Sequence, residues 1–138
     1  MQIPDRLPGM KGITILWGIF MAVWAVLEGG LWLTIFAAIF SLILFLAYLL
    51  QRVLVGRTFA TTTWLLLAAF LGILTGLGSG LLTLVLIAIK TGLHAHGPEF
   101  STAELNWVLQ QIPLWSLVGL LTGLGLGLLF KARSAPLD

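Results

Sequence analysis

The chain has no cysteine, a single tyrosine and few charged residues. Of its 138 residues, five are acidic and seven are basic, so only 9% are charged. The absence of cysteine excludes disulfide bonds, thiol catalysis and iron–sulfur clusters held by thiolates. Soluble domains carry about 25% charged residues. The low charge content therefore excludes an ordinary soluble domain.

Apolar residues are correspondingly abundant. They make up 59% of the sequence, and the mean hydropathy is +1.10, which is typical of an integral membrane protein. Four stretches free of charge follow one another, and a helix needs about 20 apolar residues to cross a bilayer core. The sequence therefore predicts an all-α fold, a four-helix transmembrane bundle forming one domain. The domain covers residues 1–138, with approximate spans at 11–28, 30–51, 62–90 and 105–130.

The first stretch is slightly short for a span. It ends in Glu28, Gly29 and Gly30, where a signal peptide would carry a small-residue cleavage site, and a second apolar stretch starts at once. We therefore interpret it as a retained anchor.

The basic residues predict the orientation of the bundle. Six of the seven precede span 1, separate spans 2 and 3, or follow span 4: Arg6, Lys11, Arg52, Arg57, Lys131 and Arg133. Cytoplasmic segments are enriched in Lys and Arg, so both termini are predicted to be cytoplasmic, in a bacterial-type inner or energy-transducing membrane. The same rule explains the net positive charge, and no nucleic-acid partner is predicted. Lys90 is the one basic residue expected on the outer side.

A glycine-rich segment occurs twice. "GILTGLGSGLL", residues 72–82, returns as "GLLTGLGLGLL", residues 119–129, with nine of eleven positions identical. Glycines four residues apart share one helix face and let two helix backbones approach closely. We therefore expect spans 3 and 4 to pack through these faces, or the faces to bind other copies of the chain. The predicted packing residues are Gly72, Gly76, Gly80, Gly119, Gly123 and Gly127, and Gly78 and Gly125 are expected to widen the groove.

The same glycines allow a second interpretation. They would loosen the two helices so that backbone carbonyls line a pathway, as in the broken helices of transporters. Thr75, Ser79 and Thr122 would then supply its polar contacts. The packing interpretation is the simpler one, since hydroxyl groups in membrane helices usually bond to their own helix.

Four polar residues near the predicted outer face are candidates for chemistry. Glu28 ends the first span and is a candidate for ion coupling, because a carboxylate near the bilayer is costly; the alternative is a loop residue facing water. His94, His96 and Glu99 are candidate ligands for a metal ion of unknown identity or for a tetrapyrrole. The alternative is an ordinary hydrated or protein-contacting loop.

The start of span 4 carries further polar residues. Ser101 and Glu104 have the spacing of a capping box, which predicts that the helix begins here. Gln110 and Gln111 lie ahead of Pro113, which is expected to kink the helix. The two glutamines are predicted either to hydrogen-bond between helices or to line a pore.

The function that fits these features best is that of an accessory, assembly or structural subunit of a larger membrane complex. The expected partners are the lipid bilayer and other membrane protein chains or copies of the chain itself. We expect no enzyme activity, no catalytic residue and no cofactor, because the sequence has no carboxylate pair within a span and no phosphate-binding loop. The alternatives are a small oligomeric transporter or channel and a protein that binds a tetrapyrrole or a metal.

Overall fold

The structure, a computed structural model, describes residues 9–27, 29–93 and 99–133. These residues form four helices: α1 Met10–Val26, α2 Leu31–Leu54, α3 Thr61–Leu93 and α4 Thr102–Arg133. The predicted all-α architecture with four helices is confirmed. Helices α2, α3 and α4 have 24, 33 and 32 residues and are long and apolar enough to cross a membrane. Helix α1 is shorter, with 17 residues.

Local sequence explains where the helices begin and end. Gly56, between α2 and α3, has a φ of 71°, which favours glycine. At the start of α4, the backbone N–H of Ser101 donates to Glu104 Oε2 at 2.8 Å, and the backbone N–H of Glu104 donates to Ser101 Oγ at 3.3 Å. The predicted capping box is thus confirmed. Helix α4 then continues through Pro113 as one helix.

Helices α1 and α2 pack through aromatic side chains. The rings of Trp17 and Phe40 have centroids 4.3 Å apart, and Phe20 stacks on Trp17 at 4.6 Å. The indole Nε1 of Trp17 donates to Ser41 Oγ at 2.9 Å. Further along α1, Trp24 is buried with Ala37 and Ala38 of α2 and Leu86 of α3.

Helix α3 is the central helix. It packs closely against α4 and also against α2. The chain reverses at every connection, so the helices are neighbours in the order of the sequence. The starts of α1 and α3 and the ends of α2 and α4 lie at one end of the molecule, which we call the basic end because of Lys11, Arg52, Arg57, Lys131 and Arg133. We call the other end, with Glu99 and Glu104, the acidic end.

Candidate functional site

The contact between α3 and α4 is made largely by backbone. Gly72 lies against the backbone of Gly119, and Gly76 lies against the backbone of Trp115 and Ser116. A Cβ atom added at Gly72, Gly76 or Gly119 would overlap backbone atoms of the opposite helix, since no flexible side chain lies between them. Each step of four residues along α3 is matched by a step of about four in the reverse direction along α4.

Side chains take over at the two ends of this interface. A Cβ at Gly80 would lie 2.5 Å from Ile112 Cγ1, and one at Gly127 would lie 3.0 Å from the Cβ of Ala68. A Cβ at Gly123 would meet the carbonyl of Ala68. The carbonyl of Gly127 accepts a hydrogen bond from Trp64 Nε1 at 3.2 Å.

The expectation that Gly78 and Gly125 widen the glycine groove between α3 and α4 is wrong. A Cβ at Gly78 would lie 2.7 Å from Leu42 Cδ2 of α2, and Gly125 has nothing within 4 Å of such an atom. The reason is helical geometry, because a residue two positions from a glycine of the interface points to nearly the opposite side of the helix. Gly78 instead allows α2 to approach α3.

The hydroxyl groups of α3 bond within their own helix. Thr75, Ser79 and Thr83 each donate to the carbonyl four residues earlier, at 2.8, 2.6 and 2.7 Å. Ser79 and Thr83 are buried. These three hydroxyls donate their hydrogens to α3 itself across the central part of the helix.

A buried ion pair lies at the acidic end. The side chain of Lys90 is fully buried, and its Nζ lies 3.2 Å from Oε1 of Glu99, whose side chain is 14% exposed. Lys90 Nζ also donates to the carbonyl of Gly29 at 3.4 Å and lies 5.1 Å from the centroid of the Trp24 ring. The backbone N–H of Gly29 donates to the same carboxylate oxygen at 3.2 Å.

This cluster joins several of the described parts of the chain at the acidic end. Lys90 belongs to α3, Glu99 to the connection that leads to α4, Gly29 to the turn between α1 and α2, and Trp24 to α1. Removing an ammonium group from water is costly, and here a carboxylate, a carbonyl and an aromatic face offset the cost. From the sequence alone, Lys90 is an orientation signal and Glu99 a candidate ligand, and no local spacing joins the two. Their opposite charges at the same end of the molecule were the signal that pointed to a pair.

Of the remaining predicted site residues, Glu28, His94 and His96 lie outside the described residues. Gln110 is exposed and Gln111 is half-buried, and neither lines the apolar groove that runs between α2 and α4. Within residues 9–27, 29–93 and 99–133, no group of three histidine, cysteine, aspartate or glutamate side chains could hold a metal ion.

A long apolar groove runs between α2 and α4, with α3 as its floor. Its volume is about 790 Å³. Trp32 and Trp107 close it at the acidic end, where their ring centroids are 5.5 Å apart. Leu50, Trp64 and Phe130 lie at the other end. The floor is formed by small residues of α3 and α4, which keep the groove open: Ala68, Gly72, Thr75, Gly76, Ser79, Gly119, Thr122 and Gly123.

Comparison of the chain with protein-family models, with curated protein sequences and with solved structures found no match.

Proposed function

We propose that the chain is an integral membrane protein with four spans and both termini in the cytoplasm, and that it serves as an accessory or assembly subunit of a larger membrane complex. The length and hydropathy of α2, α3 and α4 and the basic residues at one end support this placement. Helix α1, with 17 residues, is at the lower limit of about 17 for a span.

The observation that carries the proposal is the face of α4 that points away from α3. Its residues recur at intervals of three or four, and all of them are exposed: Gln110, Leu114, Leu117, Leu121, Gly125 and Leu128. Leucines at this spacing form the contact line of paired helices. Gly125 adds a position where a second backbone can approach.

The amide of Gln110 distinguishes this face of α4 from an ordinary lipid-facing surface. It lies about 11 Å from the middle of α4 at 1.5 Å per residue, within the half-thickness of about 15 Å of a bilayer core. An exposed amide at this depth requires a hydrogen-bonding partner. We propose that a transmembrane helix of a different protein supplies that partner and packs along the leucines.

The glycine contacts of α3 and α4 fit the same role. They bring α3 and α4 close together within the chain and leave the outer face of α4 for the partner. We propose no catalytic role and no cofactor, because neither the ion pair nor the groove presents a reactive group to a substrate.

The test is native mass spectrometry of the protein extracted from its own membranes in mild detergent. We expect an assembly that contains another protein chain. Gln110→Leu should release that chain, whereas Gln111→Leu, which removes the same amide about 100° around the helix, should retain it. A homo-oligomer without another chain, or equal loss from both variants, would contradict the proposal.

A second pair of variants tests the contact itself. Gly125→Leu should weaken the assembly, and Gly18→Leu of α1 should not. A Cβ at either glycine has nothing within 4 Å, so the first atom of the new side chain meets no neighbour within the chain in either variant. An assembly that survives Gly125→Leu would place the partner on another face.

A further inference from the structure

The groove between α2 and α4 has the length of a membrane core. Its lining residues run from Trp107 to Phe130 on α4 and from Trp32 to Leu50 on α2. At 1.5 Å per residue these distances are about 35 Å and about 27 Å, and a bilayer core is about 30 Å thick. Tryptophan is enriched at both membrane interfaces, and here Trp32, Trp107 and Trp64 stand at the two ends.

The lining offers an occupant little to hydrogen-bond along this length. It is formed mainly by aliphatic, aromatic and glycine residues. The hydroxyls of Thr75 and Ser79 donate to carbonyls of their own helix, and Trp64 Nε1 donates to Gly127. An occupant of most of the groove must therefore itself be apolar.

The size of the groove is that of a small-molecule site. Its volume of about 790 Å³ is within the range of about 300–1,000 Å³ for such sites. Flexible hydrocarbon chains can adapt to an elongated apolar groove of this size.

Charge distinguishes the two ends of the groove. Arg133 follows the lining residues Phe130 and Leu126 by three and seven positions, which places it on the same face of α4, and Arg57 lies in the connection after α2; both are exposed, as are Arg52 and Lys131. The acidic residues of the described chain, Glu99 and Glu104, lie at the other end. Basic clusters beside transmembrane helices recognise anionic lipid headgroups.

We infer that this groove binds a membrane lipid with a phosphate-bearing anionic headgroup. The hydrocarbon chains lie between α2 and α4 over the small residues of α3, and the headgroup lies at the basic end beside Arg57 and Arg133. The inference rests on the membrane placement proposed above, but it does not depend on the partner of α4, because the outer face of α4 and the groove are different surfaces.

The test uses the purified full chain in mild detergent, with native mass spectrometry to count bound lipid. The probes are dioleoyl phosphatidylglycerol and dioleoyl phosphatidylcholine, which have the same hydrocarbon chains and differ in headgroup charge. We expect one phosphatidylglycerol bound about tenfold more tightly than phosphatidylcholine. Equal affinity for the two lipids, or no bound lipid, would overturn the inference.

Two variants with matched controls locate the lipid. Thr122→Trp fills the groove from an exposed lining position and should abolish binding, whereas Leu121→Trp, on the outer face of α4, should leave it unchanged. Arg57→Gln with Arg133→Gln should remove the preference for phosphatidylglycerol. Lys11→Gln, at the same end but on α1, should retain it. If Lys11→Gln has the same effect, or Thr122→Trp has none, the lipid does not occupy this groove.

The outcome is separable from that of the proposed subunit function. Lipid binding is measured on the chain alone, and Gly125→Leu should leave it intact while releasing the partner protein. A helix of another protein crosslinked within the groove, with no lipid retained, would overturn the lipid site in favour of a docking site.

Discussion

Lys90 Nζ lies 3.2 Å from Glu99 Oε1, and that oxygen also accepts a hydrogen bond from the backbone N–H of Gly29. One carboxylate oxygen thus holds the last turn of α3 and the turn between α1 and α2 in fixed positions. The ends of three helices are connected through a single fully buried ammonium group.

Breaking this pair from either side should be costly. Lys90→Met leaves the Glu99 carboxylate beside an apolar side chain, and Glu99→Gln leaves the buried Lys90 ammonium without its counter-ion. We expect each change to lower the free energy of unfolding by about 3 kcal/mol. The double variant should lose less than the sum by about 1–2 kcal/mol, measured by chemical unfolding in detergent micelles.

The control for this cycle is Lys131→Met, which removes an exposed cation at the opposite end of the molecule. We expect it to change stability by less than about 0.5 kcal/mol. Strict additivity of Lys90→Met and Glu99→Gln would show that the two side chains do not interact.

Adding one methyl group between α3 and α4 should destabilise the fold. In Gly72→Ala or Gly119→Ala the new Cβ would overlap backbone of the opposite helix, and we expect a loss of about 1–3 kcal/mol. In Gly18→Ala nothing lies within 4 Å of the new atom. That variant should be as stable as the original chain or gain up to about 1 kcal/mol of helix propensity. Equal melting temperatures for all three would contradict the close approach.

The hydrogen bond between α1 and α2 should be measurable on its own. Ser41→Ala removes the acceptor of Trp17 Nε1, which lies 2.9 Å away. We expect a loss of about 1 kcal/mol. Trp17→Phe should cost more, because it also removes part of the ring that packs on Phe40 and Phe20. If Ser41→Ala costs as much in the Trp17→Phe background, which lacks the donor, as it does in the original chain, the bond contributes no stability.

The capping box should protect the start of α4 from exchange. Ser101→Ala removes the oxygen that accepts from the Glu104 N–H and should cost about 1 kcal/mol. Amide hydrogen exchange should become faster at residues 103–105 and stay unchanged in the centre of α3. Unchanged exchange at the start of α4 would show that the helix begins there without the cap.

Local patterns in the sequence predicted much of this fold. Charge-free stretches separated by glycine and charged residues predicted four helices in order, and the spacing of Ser101 and Glu104 predicted the first turn of α4. The interval of four between glycines predicted that Gly72 and Gly76 share a face. Each of these features depends on residues within a few turns of one another.

Features that depend on how the helices are arranged relative to one another could not be predicted from local sequence patterns. The contact of Lys90 with Gly29 joins residues 61 positions apart, and no local pattern encodes it. The groove exists because α2 and α4 both contact α3 and lie apart from each other beyond the contact of Trp32 with Trp107. Gly78 lies against α2 and not in the contact with α4, because the spacing of glycines within one helix does not say which helix lies opposite each face.

The order of the helices has a consequence for biosynthesis. Each helix finds its first neighbour in the helix made just before it, so α1, α2 and α3 can associate as they emerge. Helix α4, made last, covers the glycines of α3 and supplies the second wall of the groove. A nascent or truncated chain that lacks α4 would expose Gly72, Gly76 and Gly80 as an uncovered small-residue surface. The last helix to be made therefore both covers the glycines of α3 and completes the groove.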